Sequence, residues 1–436
     1  LCLLPMIAVA VAALSGGFDT IVSLSQSVLP RYVGATLQLS VIVGLGTAVI
    51  GTGAAWLVTM TRFFGRRVLE IALALPLAFP AYVLAYAYTD LLDHPGLVQS
   101  TLRAFMGWGP RDYWFPEIRS LGGAAAMLVL VLYPYVYLLA RAAFLRQSAT
   151  AYIAARTLGQ GPWGAFWRVS LPVVRPAIAG GVLLALMETL ADYGTTAYFG
   201  VQTFATGIYV SWFGLFDRAA AAQLALCLLV VALTLATFER RQRRHSRHHD
   251  AGRRFEVMEP VTLNGRAALG AILFCGLPVL FGFVLPVWIL ITLAADQAHI
   301  LFTDRYLGFL RHSLTLAAIA AFLTVGAAIA LGFRARLRPT PMSKTALRVA
   351  GIGYAVPGGV IAVGLLFPFA AFDNALDHFM ETNFGIDTGL LISGSIWLMI
   401  MAYMVRFMAV ALNTYEAGMA TLNPNMDAVA RTLGHG

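Results

Sequence analysis

Glu188 and Asp192 are the carboxylates whose spacing is best suited to chemistry in this chain. They lie four residues apart in the run Met187-Glu-Thr-Leu-Ala-Asp-Tyr193, so they share one face of a helix. The run is otherwise apolar, and a carboxylate inside a bilayer costs roughly 2.5–3.5 kcal/mol by insertion scales. Such groups face protein or water, and hard oxygen ligands suit a hard cation. The pair, with the adjacent Tyr193, is therefore a candidate lining for a cation pathway.

The same two carboxylates have other possible roles. A conduit must release its cargo, so weak lining of a pathway and direct ligation of a metal are separate hypotheses. The structural alternative is that the carboxylates cap the outer end of the helix or bond to a neighbouring side chain. The candidate partners are Thr189, Thr195, Arg141 and Arg406. The sequence leaves these alternatives open.

Motifs for other chemistry are missing from the sequence. A phosphate-binding loop needs G-x-x-x-x-G-K-[ST], but Lys344 is the only lysine and the run Pro339–Ser343 before it contains no glycine. The sequence also lacks H-E-x-x-H, C-x-x-C and G-x-S-x-G. It therefore predicts no enzyme activity, no resident metal and no cofactor.

A second feature is a repeated segment. Ile153-Ala-Ala-Arg-Thr-Leu-Gly159 recurs in part as Ala428-Val-Ala-Arg-Thr-Leu-Gly434. In the first copy, residues 149–158 are compatible with a helix, and Gly159 accepts the left-handed conformation that ends helices. After this turn, a second short helix is predicted to start near Trp163, ahead of Leu171-Pro172. Such an elbow could present a short helix to a groove on a partner.

The composition indicates a membrane protein. Hydrophobic residues make up 59% of the 436 positions and charged residues 12%, against roughly 25% charge in a soluble domain. A spanning helix needs about 20 mainly apolar residues, and long runs without apolar–polar alternation favour helices over barrel strands. The predicted fold class is therefore all-α and polytopic. The ten candidate spans lie near 1–14, 35–60, 69–90, 120–142, 177–198, 220–238, 267–294, 313–333, 349–371 and 389–412.

Arginine and lysine predict the orientation. One set of loops holds 21 of the 30 basic residues, and it comprises 61–67, 143–176, 239–266, 334–348 and 413–436. The alternate set holds 7, and it comprises 15–34, 93–119, 199–219, 295–312 and 372–388. Basic residues concentrate on the cytoplasmic side, so the first set is predicted to be cytoplasmic. The net charge of +9 is thus a topology signal, and no nucleic-acid partner is predicted.

The chain divides into two halves around a basic run. We expect a first repeat of six spans at 1–238, a basic cytoplasmic linker at 239–266, and a second repeat of four spans at 267–436. An even number of spans in the first half makes the two repeats parallel. By internal symmetry, the full protein is expected to have twelve spans.

The order of features supports the repeat. Thr36-Leu-Gln-Leu-Ser40 begins one helix and Ser313-Leu-Thr-Leu316 begins another. Proline-bearing helices follow in both halves, with Pro76 and Pro80 in the first and Pro357 in the second. Proline removes a backbone donor and kinks a helix, so matching breaks are expected.

The Ala-Arg-Thr-Leu-Gly segments resemble the cytoplasmic EAA loop of ABC-type importer permeases, which docks on an ATPase subunit. The long run Met187–Val201, continued by Gln202–Phe213, resembles the ferric-iron branch of this family, whose members fuse two permease halves. The name-giving glutamate aligns with Ile153 and Ala428. The resemblance implies that the ATPase-coupling residues are Ala154, Ala155, Arg156, Gly159, Trp163, Leu171, Pro172, Ala430, Arg431 and Gly434.

The resemblance also implies a function and partners. The chain would be the permease subunit of an ATP-driven importer in the bacterial inner membrane, carrying Fe(III) delivered by a periplasmic binding protein. Because the chain has no phosphate-binding loop, a separate cytoplasmic ABC ATPase, expected as a homodimer, would hydrolyse ATP.

Three alternatives stay open at this point. One is an ABC permease for thiamine or another small ion. Another is an ion-coupled secondary transporter, in which repeats are often inverted and coupling carboxylates lie near the midplane. The third is a membrane-embedded enzyme, for which the sequence offers no motif.

The charge bias makes a direct prediction about topology. In a background without the three native cysteines, His245→Cys should resist an impermeant thiol reagent in intact cells, because loop 239–266 is predicted to be cytoplasmic. Glu381→Cys, in the predicted external loop 372–388, is the matched control and should label. Labelling at position 245 before the cells are opened would refute the orientation.

Overall fold

The computed structural model describes residues 1–147, 155, 157–247, 260–296, 298–300, 302–420 and 432. Within these ranges the chain is almost entirely helical. Two short strands, β1 (Thr61–Arg62) and β2 (Val261–Thr262), pair in parallel with Thr61 opposite Val261. The predicted all-α class is confirmed.

The helices follow the predicted apolar runs. Those before residue 192 are α1 (Leu4–Ser15), α2 (Gly17–Gln26), α3 (Leu29–Met60), α4 (Arg66–Ala72), α5 (Ala81–Leu92), α6 (Leu97–Met106), α7 (Leu121–Leu145), α8 (Pro162–Ala165) and α9 (Leu171–Ala191). Those after it are α10 (Gly194–Tyr198), α11 (Phe204–Tyr209), α12 (Arg218–Arg247), α13 (Gly265–Val279), α14 (Leu285–Asp296), α15 (Asp304–Leu337), α16 (Pro341–Ala350), α17 (Gly358–Phe384) and α18 (Ile396–Ala420).

The number of spans agrees with the sequence. Within the described ranges, eight helical segments are long and apolar enough to cross a bilayer, and two bent pairs raise the number to ten. The bounds differ at several spans. The eighth span runs from Asp304 to Leu337 and the ninth from Gly358 to Phe384, whereas the sequence placed them at 313–333 and 349–371. The fifth span runs from Trp163 to Ala191, whereas the sequence placed it at 177–198. Helix α12 continues to Arg247, so the first part of the predicted linker is helical.

The described chain forms two compact units. Unit I comprises Leu24–Gly207 and Val231–Ala298. At its centre α3 and α9 both pack against α7 through glycines. A Cβ at Gly51 would lie 2.7 Å from Val136 Cβ, and one at Gly181 would lie 2.6 Å from Val136 Cα. These backbones approach as closely as small residues permit in membrane helices.

Unit II comprises Leu1–Ser23, Ile208–Val230 and His299–Gly436. Here α15 packs against α18 and α1 packs against α17. Gln223 on α12 donates hydrogen bonds to the carbonyls of Ala13 (3.3 Å) and Gly17 (2.9 Å), at the bend between α1 and α2. The buried carboxylate of Asp373, on α17, accepts hydrogen bonds from the backbone N–H groups of Ile392 and Ser393. These bonds hold the loop between α17 and α18 against α17.

Each unit contains the first helix of the opposite sequence half. Helix α1 lies in unit II with α15–α18, and α13 lies in unit I with α3–α9. In unit I, the ring of Phe274 on α13 fills the space beside Gly53, where a Cβ would lie 2.7 Å from two ring atoms. Each sequence half thus contributes its first helix to the unit that consists mainly of the other half.

The proline breaks also occur in both halves. Helix α4 leads through a 3₁₀ turn at Leu75–Ala78 to Pro80, which has extended backbone (ψ 133°) before α5 begins. Helix α16 leads through a 3₁₀ turn at Gly353–Ala355 to Pro357 (ψ 146°) before α17 begins. The predicted kinks are confirmed, and they occupy matching places.

Candidate functional site

The first repeated segment folds as a tight turn followed by a helix. Gly159 has a φ of +84°, which is the left-handed conformation predicted for it. The N–H of Gln160 donates to the Ala155 carbonyl at 3.1 Å, which closes the turn. A Cβ at Gly159 would contact nothing within 4 Å. Glycine is therefore required here for its backbone conformation and not for space.

The second helix of the elbow does not stop at Leu171-Pro172. Helix α8 begins at Pro162, close to the predicted start, and passes through a π turn at Phe166–Ser170 into α9. The N–H of Leu171 donates to the Phe166 carbonyl, which closes the π turn immediately before Pro172. Pro172 lies in the first turn of α9, where a missing N–H is tolerated. The expectation of a separate short helix ahead of these two residues was wrong.

The elbow packs on itself and is hydrogen-bonded to the end of α7. Ala155 packs on the buried Ala165 and on Val169. Gln147, at the end of α7, donates from Nε2 to the Ser170 hydroxyl at 3.1 Å, and both side chains are buried.

Aromatic rings complete the attachment. Trp56, buried in α3, lies 5.0 Å from Trp163 and 5.0 Å from Phe166, measured between ring centroids. The contribution of Trp56 was not anticipated from the sequence. Its signal in the sequence is a tryptophan four residues before the end of an apolar run.

The elbow leaves large apolar side chains uncovered. Leu158 is 82% exposed, Trp163 63% and Trp167 61%. A rigid elbow with an exposed apolar face is suited to docking in a partner's groove. Ala154 and Arg156, and Ala430, Arg431 and Gly434 of the second copy, lie outside the described residues.

The carboxylates of the candidate pathway meet different surroundings. Asp192 follows the last residue of α9, and its carboxylate accepts hydrogen bonds from Thr195 Oγ1 (2.9 Å), Thr195 N (3.4 Å) and Thr196 N (3.0 Å). These donors lie in the first turn of α10, so the contacts favour the capping role for Asp192. Glu188 is partly buried on α9, and Tyr193 is exposed.

Arg141 does not pair with either of these acids. It forms an ion pair with Glu70 on α4, and the Tyr137 hydroxyl donates to the Glu70 carbonyl at 2.6 Å. The hypothesis that Arg141 neutralises Glu188 or Asp192 was therefore wrong, because a closer carboxylate exists. Sequence reasoning missed Glu70, whose signal is that it is the lone acid between Arg67 and Asp90.

No metal centre forms among the described residues: no three His, Cys, Asp or Glu side chains meet as possible ligands there.

Comparison with known proteins agrees with this description. Residues 40–244 match the family model of the binding-protein-dependent transport system inner membrane component. The Fe(3+)-transport system permease protein FbpB 2 of Haemophilus influenzae is 25% identical over 410 residues, covering 92% of this chain and 72% of the relative. The sulfate transport system permease protein CysW of Synechocystis is 30% identical over 199 residues, covering 45% of this chain and 68% of the relative.

The molybdenum transport system permease protein ModB of Escherichia coli is 30% identical over 166 residues, covering 38% of this chain and 69% of the relative. The chain belongs to this family of inner membrane permeases. It is accordingly an ABC permease subunit, a multi-pass protein of the inner membrane, and its relatives are transport subunits. The matched region begins within α3 and includes α4–α9 and the first elbow.

The hydrogen bonds of Asp192 and the partial burial of Glu188 in this permease give different predictions for the two residues. Asp192→Ala should lower the stability of detergent-solubilised protein by about 0.5–2 kcal/mol, the range for losing a helix cap. Asp192→Asn keeps an oxygen acceptor and should be nearly neutral. Glu188→Gln should keep thermal stability but reduce substrate uptake, if Glu188 lines the pathway.

Thermal unfolding and uptake are measured on the same preparations. Unchanged uptake by the double variant Glu188→Gln with Asp192→Asn would eliminate the pathway role of both residues.

Proposed function

We propose that this permease carries Fe(III), received from a periplasmic binding protein, in an importer driven by ATP. The supporting observation is the extent of its likeness to the Haemophilus Fe(3+)-transport permease. That likeness covers 92% of the chain and therefore reaches into both sequence halves. The molybdenum and sulfate permeases compared above match 38% and 45% of the chain.

A second candidate cargo is an oxyanion such as molybdate or sulfate. It is supported by the higher identity, 30%, of the molybdenum and sulfate permeases in the region they match. The two kinds of cargo need opposite electrostatics along a pathway, since a ring or lining of carboxylates attracts cations. A carboxylate of Glu188 in the pathway would therefore favour Fe(III) over an oxyanion.

ATP hydrolysis is proposed to occur on a separate cytoplasmic ATPase of two identical subunits, one for each loop. The exposed apolar side chains Leu158, Trp163 and Trp167 provide the docking face in the first half. The loop at 428–434 carries the same Ala-Arg-Thr-Leu-Gly sequence and is proposed to dock the second subunit.

Reconstitution tests the proposal. The permease is placed in proteoliposomes with its ATPase, and uptake of radiolabelled Fe(III), molybdate and sulfate is compared, each presented with its binding protein. We expect ATP-dependent uptake of Fe(III) alone. Uptake of an oxyanion without uptake of Fe(III) would assign the second cargo, and uptake of Fe(III) without ATP would contradict the coupling to an ATPase.

Loop variants test the coupling within the same system. Gly159→Leu with Gly434→Leu should abolish co-purification of the ATPase, because a bulky residue resists the left-handed turn. Gly159→Asn with Gly434→Asn is the matched control and should retain binding, since asparagine accepts this conformation. Normal binding and uptake in the leucine variant would show that the loops do not couple.

A further inference from the structure

Helix α4 is held at both ends by the helices that carry the elbow. At its start, Arg66 Nε donates to the Val58 carbonyl of α3 at 2.6 Å. Near its end, the Glu70 carboxylate pairs with the Arg141 guanidinium of α7. The Tyr137 hydroxyl of α7 donates to the Glu70 carbonyl, which lies in the last turn of α4 and lacks a full set of helical partners.

The elbow is fastened to the same two helices. Arg141 lies six residues before Gln147, about 9 Å of helical rise, and Gln147 bonds to Ser170 of the elbow. On the other side, Trp56 of α3 contacts Trp163. A movement of the elbow therefore reaches α4 through a short and continuous set of contacts.

Helix α4 is also the first part of a bent span. The segments Arg66–Ala78 and Ala81–Met106 meet at 94°, with Pro80 extended between them. A break of this kind persists in a membrane only where protein or a wet cavity covers it. Helix α4, which α3 and α7 hold in place, therefore forms one arm of a segment that does not simply cross the lipid.

At the corresponding place in the described part of the second half, an apolar residue stands where the first half has the acid. Glu70 lies ten residues before Pro80, and the residue ten before Pro357 is Leu347. Leu347 packs against the apolar cluster of Ala328, Ala350, Met408 and Leu412. The sequence of α16 contains no acid at all. The halves thus share the proline break but fix the preceding helix by different interactions.

Stability alone does not account for the difference. The side chains of Arg141 and Glu70 are 31% and 27% exposed, and ion pairs that solvent reaches contribute little to stability. The second half shows that an apolar contact serves at this place. An ion pair adds direction, because its hydrogen bond geometry fixes how one helix faces the other.

We infer that Glu70 and Arg141 are positioning residues that transmit movement of the first elbow to the bent span, so that the two halves respond unequally to the ATPase. This inference rests on the proposed coupling function. In the first half the bent span responds directly to the ATPase through the ion pair. In the second half the corresponding helix, α16, is held by a passive apolar contact.

The test uses the complete transporter in proteoliposomes and measures three quantities for each variant: thermal stability, ATPase rate with loaded binding protein, and substrate carried per ATP hydrolysed. The double variant Glu70→Leu with Arg141→Leu replaces the ion pair by apolar side chains, like the contact of Leu347 in the second half. It should keep the melting temperature but lower transport per ATP at least about fivefold, the lower bound of typical coupling effects. The charge-reversed pair Glu70→Arg with Arg141→Glu should restore most of this ratio.

Leu347→Ala is the matched control in the second half. It should lower thermal stability and leave transport per ATP unchanged. If the leucine pair fails to fold, Glu70→Gln replaces it, since it keeps the shape and removes the charge. Normal transport per ATP in a stable Glu70 variant would overturn the inference. An equal loss of transport per ATP in Leu347→Ala would overturn it as well. Absence of ATP-driven uptake by the parent transporter would instead contradict the proposed function.

Discussion

The close packing of α3 on α7 is the contact on which the rest of unit I depends. It is made possible by glycine: a Cβ at Gly46 would lie 2.7 Å from Val129, and one at Gly51 would lie 2.7 Å from Val136. Lipid tails are as apolar as leucine, so helices in a bilayer gain little from burying apolar area and depend on such close van der Waals contact. Helix α9 uses the same surface of α7 through Gly181.

This packing gives the elbow a rigid base. Trp56 of α3 and Gln147 of α7 each contact the elbow helix, and both α3 and α7 also hold α4. Docking of a partner on Leu158 and its exposed neighbours would therefore act on the bent span and not on an isolated loop. The break itself is covered within unit I, where the ring of Phe79, next to Pro80, lies 5.5 Å from the ring of Phe283 between centroids.

Local sequence chemistry predicted the features that depend on one or a few residues. The apolar runs predicted the spans because a bilayer imposes their length. Gly159 predicted a left-handed turn, and Pro80 and Pro357 predicted breaks, because each residue restricts its own backbone. The capping role of Asp192 was among the alternatives because its donors are three and four residues away.

Features that depend on distant contacts were not predictable in this way. The pairing of Arg141 with Glu70 joins residues 71 positions apart, and the sequence offered nearer candidates in Glu188 and Asp192. No propensity of the residues Phe166–Ser170 indicates the π turn that they form before Pro172. The exchange of α1 and α13 between units follows from how the halves pack, and each half by itself carries no signal for it.

The central claim is that the two repeated loops are where the ATPase acts on the permease. Thiol cross-linking in membranes that contain the whole transporter tests it most directly, with single cysteines at Leu158→Cys and Leu433→Cys and an internal control at Phe105→Cys, far along the chain from either loop. The account predicts that both loop cysteines, and not the control, cross-link to the ATPase subunit through a short reagent. Failure of both loop cysteines to cross-link, in a complex that still contains the ATPase, would contradict it.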